Sequence, residues 1–523
     1  MQTKPTLRFA GLLAFLLLNT MPFVAQTDQT VEKILTLAAK DNQTMSHLDV
    51  LTNRIGGRFI GSDNYQNAVD WTAYKFKQWG LDVSVIEVGT LNVGFNRGPW
   101  FGKMLDNDGM MLHFVTPSYT SGTKGVQRGH VLKEPKTQEE FDRMKGALKG
   151  AWVLITGDSD GFPIDYSPLG DSLRESVIKK NVVINRRNAD IARLNRASPD
   201  SIPRQPEKLE DLPALFYKQM REAGILGIIQ SARVPLVAMY DRKNIHHLTF
   251  DNLPTVPDIK LDEHQYRIIE QKVKERRYFQ LEFEIRNHFK LGPVKYYNVV
   301  AAIKGTKFPN EYVMCGGHLD AYDVGTGAVD CGTGVAPTME AARLLAASGA
   351  KPKRTILFCL WAGEEAGLYG SKHWVETNKD KWPNIINYIN RDGGPTVANN
   401  ITVPSSWFKD MEKICAPLKT FNPELPFRVI EREGDAPPRP KTVGYTDNAY
   451  FAMNGIPTIT FGNEDPKGYD FNYAEIWHTE RDTYNKSIPE YMEQTSVVNA
   501  VVLWGIANLE RKLPAKDVYK NDF

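Results

Sequence analysis

The hydrophobic rhythm of the chain changes twice. Between Thr30 and Gly89 apolar positions recur at helical spacing, predicting helices over Val31 to Leu51 and over Tyr65 to Trp79, the second apolar at Val69, Tyr74 and Phe76. Gly56 and Gly57 turn the chain between them, Gly80 closes the second helix, and Asp82 to Val88 reads as a strand. From about Val115 to Lys290 short apolar runs such as Ala151 to Thr156 and Ile225 to Ile229 are separated by Pro-containing polar loops. That texture predicts a mostly β module with a long irregular segment from Gly157 to Pro213.

From Val294 onward strand and helix patterns alternate. Strands are expected over Tyr297 to Ile303, Tyr312 to Gly316, Thr355 to Trp361, Ile385 to Asn390 and Thr458 to Gly462. Helices are expected over Gly334 to Ala347 and Ser487 to Leu509. Such alternation implies an α/β fold, a mostly parallel or mixed sheet sandwiched by helices. No internal repeat is visible, which excludes a solenoid.

Composition adds boundaries. The 523 residues are 42% hydrophobic and 24% charged, a globular balance with room for two or three domains. A formal charge of +2 gives no reason to expect a nucleic-acid or anionic-membrane partner. The basic cluster Lys179, Lys180, Arg186, Arg187, Arg193 and Arg196 reads as a solvated face with acidic residues close by. At the N-terminus, Lys4 and Arg8 precede the apolar run Phe9 to Leu18, and Ala25 stands before polar residues. This is a signal-peptide pattern, too short for a membrane span, so a secreted or periplasmic protein without a stable span after cleavage is expected. Four cysteines without a CxxC pair exclude a disulfide scaffold and a thiolate zinc site.

The candidate chemistry lies where strands end. In an open α/β sheet functional groups gather beyond the carboxyl ends of the strands. His318 and Asp320 follow the strand through Met314, Glu364 and Glu365 follow Thr355 to Trp361, and Asp392 follows Ile385 to Asn390. Asp330 sits just before the next helix, and His478 adds a second imidazole in EIWHTERDT. A tight Gly/Asp turn could explain GGHLDAYDVGTGAVDCGTG alone, but not this convergence. His318, Asp330, Glu365, Asp392 and His478 are too many ligands for one open zinc site and suit two zinc ions sharing a bridging carboxylate. Glu364, next to a ligand and free to face a water, is the candidate general base, and Ala362-Gly363 permits the bend that brings both glutamates in. A serine-hydrolase string, GDSDG at 157–161, lacks the expected following helix because Pro163 and Pro168 intervene. GTGAVD does not complete a dinucleotide fingerprint.

GGHLDAYDVGTGAVDCGTG, WAGEEAG, INRDGG and IWHTERDT, in that order, resemble the motifs of the di-zinc exopeptidase family that contains bacterial aminopeptidases and plasma glutamate carboxypeptidase. LTNRIGGRFIGSDNYQNAVDWTAYKFKQWGL resembles the family's N-terminal part, and KGAWVLI with REAGILGIIQ resembles an inserted protease-associated domain. The resemblance implies a signal peptide at 1–25, peptidase parts at 26–115 and 291–523, and the insert at 116–290. It further implies one zinc on His318 and Asp392, another on Glu365 and His478, Asp330 bridging, and Glu364 as base. Asp320 would accept a hydrogen bond from His318, and Asp482 would serve His478 similarly. Asp447 and Tyr445 would touch substrate, with a structural role equally open. Cys331 departs from the family's usual Asp or Asn, and a cis peptide is expected at Asp330-Cys331.

The expected activity is hydrolysis of dipeptides or short peptides. A glutaminyl cyclase-like acyltransferase and a non-catalytic receptor on the same scaffold, as in transferrin receptor, are the alternatives. The preferred substrate end and a homodimer stay open.

Overall fold

The computed structural model describes residues 28–106, 109–164, 167–198, 202–240 and 245–520. The expected signal peptide lies outside the described residues. Among these residues no helix is long and apolar enough to cross a membrane.

A five-stranded sheet carries the fold, in the order Asp82–Asn96, His288–Ile303, Arg354–Trp361, Phe308–His318, Ile385–Asn390. The last three strands run parallel, and the first two are antiparallel additions. Every residue of Arg354–Trp361 is buried, as a strand covered on both faces requires. Its alternation decides what each face meets. Ile356, Phe358 and Leu360 join the core with the helices Gly332–Ala347 and Pro489–Asn508, while Leu357, Cys359 and Trp361 pack with Trp374, Val375 and Phe451. Val397–Val403, Arg428–Glu431 and Phe461–Glu464 form a separate small sheet, so the strand expected at Thr458 to Gly462 starts later and pairs outside the main sheet.

The expected first helix is interrupted. Gln29–Lys40 ends before Thr44–Asp49, which passes into a wider turn over Val50–Ile55. The break places Asp41, Gln43 and His47 against the helix Gly332–Ala347. There Glu340, fully buried, accepts from the Gln43 amide at 3.1 Å and from Arg343 Nε at 2.8 Å, and lies 3.2 Å from His47 Nε2. Arg343 also reaches Asp41. The cluster ties the N-terminal helices to the helix that follows the candidate site.

Along the chain, a seven-stranded sheet is inserted between the two antiparallel strands of the first, which pair directly with each other. Its order is Trp100–Leu105, Gln280–Ile285, Gln127–Lys133, Ala151–Ser159, Gly227–Ala232, Asp258–Asp262, Phe114–Val115, and it has its own apolar cores. The segment expected to be irregular contains a long helix, Pro168–Ala197. The prolines do not forbid it, because Pro168 opens the helix where its missing N–H has no partner to lose, and the Ser167 hydroxyl accepts the Gly170 amide at 3.1 Å. Lys179, Lys180, Arg186, Arg187, Arg193 and Arg196 on this helix are exposed, and Lys180, Arg187 and Arg193 pair with Glu210, Glu207 and Asp190, whereas Arg174 is buried.

Three asparagines fasten that helix to the chain returning alongside it. Asn181 donates to the Glu210 carbonyl and accepts from its amide, both at 2.8 Å. Asn188 does the same to Glu207 at 2.8 and 2.7 Å, and Asn195 to Arg204 at 2.9 and 3.0 Å. Seven helical residues rise about 10.5 Å. Three residues of chain span at most roughly 10 to 11 Å, so the returning segment must run almost fully extended.

Candidate metal centre

Parallel pairing aligns the strand ends from which the site is built. His318 closes Phe308–His318 opposite Trp361, and Gly316 lies opposite Asn390, so the loops carrying Asp320, Glu364, Glu365 and Asp392 leave the same edge of the sheet. Gly363, at φ 64°, turns the chain after Trp361 in a conformation that suits glycine, and both glutamates follow. Gly327, at φ 63°, leads into Asp330, and a Cβ there would stand 2.2 Å from that of Ala321.

The structure brings His318, Asp330, Glu365, Asp392 and His478 together. His318 Nδ1 donates to the Asp320 carbonyl at 2.9 Å, which leaves Nε2 unprotonated in the neutral ring. Nε2 lies 3.1 Å from Asp330 Oδ1 and 3.3 Å from Asp392 Oδ1. On the other side His478 Nε2 lies 2.9 Å from Glu365 Oε2 and 3.5 Å from Asp330 Oδ2. The Asp330 carboxylate therefore stands between two imidazole–carboxylate pairs, one at each oxygen.

Asp320 acts through both of its acceptors. Its main-chain oxygen, not its carboxylate, takes the His318 proton, since the carboxylate is 3.9 Å away. The carboxylate instead accepts the amides of Glu364 at 3.1 Å and Glu365 at 3.3 Å, fixing the turn that carries both glutamates. Asp482 also differs from expectation. It accepts the amides of Val329 at 2.6 Å and Asp330 at 3.1 Å rather than serving His478, whose Nδ1 faces Met239 Sδ at 3.1 Å. Burial pushes the Asp482 carboxyl up to about 7, with the two amides opposing.

A cavity of about 430 Å³ opens on the cluster, lined among others by Asp330, Glu364, Glu365, Asp392, Val443, Tyr445, Tyr473, Trp477 and His478. Burial, reinforced by Glu365, Asp392 and Asp447 and opposed by His318, holds the Glu364 carboxyl well above the ordinary range. Tyr445 is fully exposed on the rim. Asp447 is fully buried behind the lining, where burial lifts its carboxyl to about 7. The Asp330–Cys331 peptide is cis. Cys331 Sγ donates to the Arg391 carbonyl at 3.1 Å, and burial pushes the thiol up to about 12.

The donor set fits bound metal. The ligand atoms of His318, Asp330 and Glu365 lie within 4.8 Å of one another, and Glu365 Oε1 is buried without a hydrogen-bond partner. Imidazole and carboxylate donors without thiolate suit zinc, and so many buried acids call for cations.

Sequence reasoning missed several supports. Arg58 is fully buried and donates to the carbonyls of Leu319 at 2.7 Å, Thr326 at 3.0 Å and Gly327 at 2.9 Å, strapping the loop before Asp330. Trp477 stacks on His478 at 3.8 Å, and Tyr322 lies 4.2 Å from the same ring. Trp477 and Tyr322 stand inside the quoted motifs, so an aromatic in each histidine loop was the available signal; Arg58 stands inside the quoted N-terminal segment, and Met239 offered none.

Residues 298–502 match the model of peptidase family M28. Over these residues the chain is similar to that family. It is similar to carboxypeptidase Q of Bos taurus, 30% identical over 220 residues, which cover 42% of this chain and 43% of that protein. It is equally similar to carboxypeptidase Q of Rattus norvegicus, 30% identical over 240 residues, 43% of this chain and 46% of that one. The matched region is thus less than half the length of these relatives. In fold, these residues and the rest of the chain resemble a peptidase M28 precursor from Shewanella amazonensis, with TM-score 0.55 and 20% identity over 93% of this chain and 98% of the other. They also resemble a zinc aminopeptidase from Bacillus subtilis, with TM-score 0.51 and 14% identity over 92% and 98%. These likenesses carry the fold: an α/β architecture with mixed sheets and flanking helices.

Proposed function

We propose that the chain is a two-zinc metallo-exopeptidase that cleaves dipeptides or short peptides from an unblocked N-terminus. The observation that carries this reading is the Asp330 carboxylate set between His318–Asp392 and His478–Glu365, with Glu364 on the wall of the same cavity. His318 and Asp392 would hold one ion, His478 and Glu365 the other, and Asp330 both. Bound zinc supplies Lewis acidity toward the scissile carbonyl and makes a water nucleophilic near neutral pH. Glu364 takes the proton of the attacking water and returns it to the leaving amine. Asp320 keeps Glu364 and Glu365 in register through their amides.

The cavity wall supports the choice of substrate end. Among its described lining residues there is no Lys or Arg to pair a substrate α-carboxylate, whereas the acidic cluster favours an α-ammonium group. Val443, Tyr445, Tyr473 and Trp477 offer apolar surface to the first side chain. The small volume suits short substrates. The signal-like N-terminus supports action outside the cytoplasm, and the seven-stranded sheet is read as a protease-associated module beside the site.

The test is zinc content with hydrolysis of free dipeptides, amino-acid p-nitroanilides and N-blocked peptides, by wild type and Glu364→Gln. Two zincs per chain and cleavage of unblocked substrates alone, lost in a variant that keeps its metal, uphold the reading. Metal-free protein, or activity indifferent to Glu364, overturns it and favours a binding protein. Cyclisation of N-terminal glutamine without peptide cleavage would instead point to the acyltransferase.

A further inference from the structure

We propose that Arg97, gripping Asp323, is the positioning residue through which the seven-stranded sheet holds the loop between His318 and Asp330. The inference rests on the two-zinc reading of the site, in which that loop carries a ligand at each end. The chain leaves the five-stranded sheet at Arg97, directly after Asp82–Asn96, and comes back to it at Asn287, directly before His288–Ile303. Arg97 donates to Asp323 Oδ1 through Nε at 2.9 Å and Nη2 at 2.8 Å. Ser118, just past the strand Phe114–Val115, donates its hydroxyl to the same oxygen at 2.6 Å. Arg97 Nη1 donates to Thr116 Oγ1 at 2.7 Å, and that hydroxyl also accepts from Asn287 Nδ2 at 2.9 Å. The ion pair is buried, with 5% of each side chain exposed.

The next residue repeats the contact in apolar form. Val324 packs in a cluster with Val115, Ala232, Leu236 and Ala238, all supplied by the seven-stranded sheet or by the segment leaving it. The loop is wedged on its other sides. A Cβ on Gly57 would stand 2.4 Å from Asp323 Cα, and one on Gly325 would stand 2.8 Å from the carbonyl oxygens of both Thr479 and Asp482. Packed this closely, the loop cannot absorb a shift of Asp323 locally, and the displacement passes along it toward its ends. A buried ion pair alone is weak evidence for stability, and the place of this one is what matters. Arg97, Thr116, Ser118 and Asn287, from three separate passes of the chain, converge on Asp323 directly or through Arg97, halfway along a loop that bears two candidate ligands.

The test is Co²⁺ titration of the chelator-stripped full chain, followed by visible absorption, beside thermal melting of the metal-free protein. Arg97→Lys keeps the charge but loses the planar fork that grips one carboxylate oxygen twice. At a temperature where the chain is fully folded it is expected to weaken cobalt binding about 10-fold or more, and Asp323→Asn to do the same. Ile229→Val, which thins the fully buried core of the same sheet, is the comparison: it should lower the melting temperature and leave cobalt affinity at the wild-type value. If Arg97→Lys and Asp323→Asn melt lower yet bind cobalt as wild type does, the pair is a docking contact and the role is overturned. An equal loss of affinity in Ile229→Val overturns it too. Should neither variant of the pair fold, Ser118→Ala decides: it removes one donor to Asp323 and should weaken binding several-fold, and wild-type affinity there overturns the role. Wild type that takes up no cobalt overturns the zinc reading and this inference together.

Discussion

The carboxylate of Asp482 receives the amide of Asp330 at 3.1 Å and that of Val329 at 2.6 Å, so the residue between the two imidazole–carboxylate pairs is fixed by its own main chain. Asn at 482 would turn an NH₂ group toward one of those amides. Asp482→Asn is expected to weaken zinc binding about 10- to 100-fold while the chain stays folded. Zinc titration beside thermal melting checks this, and unchanged affinity would reduce Asp482 to a loop anchor.

Glu364 and Glu365 are neighbours to which the proposed function assigns different duties. Glu364→Gln is expected to lower kcat by about 100- to 10,000-fold with zinc content intact, the range for a lost general base. Glu365→Gln removes a group 2.9 Å from His478 Nε2 and is expected to cost metal first. Metal analysis of both variants separates the two roles.

Metal removal should be legible in stability. A ligand bound by the folded chain alone stabilises it by about 4 kcal/mol at a thousandfold excess over Kd. Stripping zinc with a chelator is expected to abolish activity and lower the melting temperature, and added zinc to restore both. A melting temperature indifferent to zinc would contradict a metal site here.

Away from the site, Glu340 gives a pH-dependent prediction. Burial pushes its carboxyl up, but Arg343, His47 and the Gln43 amide outweigh burial and hold it below the ordinary value. A depressed carboxyl stabilises the fold above its unfolded pKa, and that stability is lost as pH falls through the folded value. Glu340→Gln removes the buried partner of Arg343, which keeps only Asp41, and is expected to destabilise the chain by about 1 to 3 kcal/mol near neutrality. Urea unfolding of both proteins should show the gap narrowing below about pH 4.5. A gap constant with pH would mean that packing alone is at stake.

Legibility followed the range of the interaction. Ile385–Asn390 has the bounds its sequence predicts, because a strand buried on both faces puts apolar residues on successive positions, here Ile385, Ile386, Tyr388 and Ile389 around Asn387. The convergence of His318, Glu365 and Asp392 was readable because parallel strands deliver their ends to one edge. The helix Pro168–Ala197 was hidden by prolines whose position, not presence, decides their effect. Met239 and His478 lie 239 residues apart, and a contact made across two sheets leaves no local pattern in either segment.

The asparagine ladder constrains how this chain can change in length. Seven residues on one side answer three on the other, through paired bonds at Asn181, Asn188 and Asn195. A single inserted residue between two rungs would put the two sides out of step, turning an asparagine away by about 100° of helix rotation or moving its partner along the extended chain. Growth or shrinkage that keeps the bonds comes in a fixed ratio, seven with three. Homologues whose helix keeps this asparagine spacing should therefore differ in length here by whole rungs, and lengths in between should appear only where the asparagines are gone.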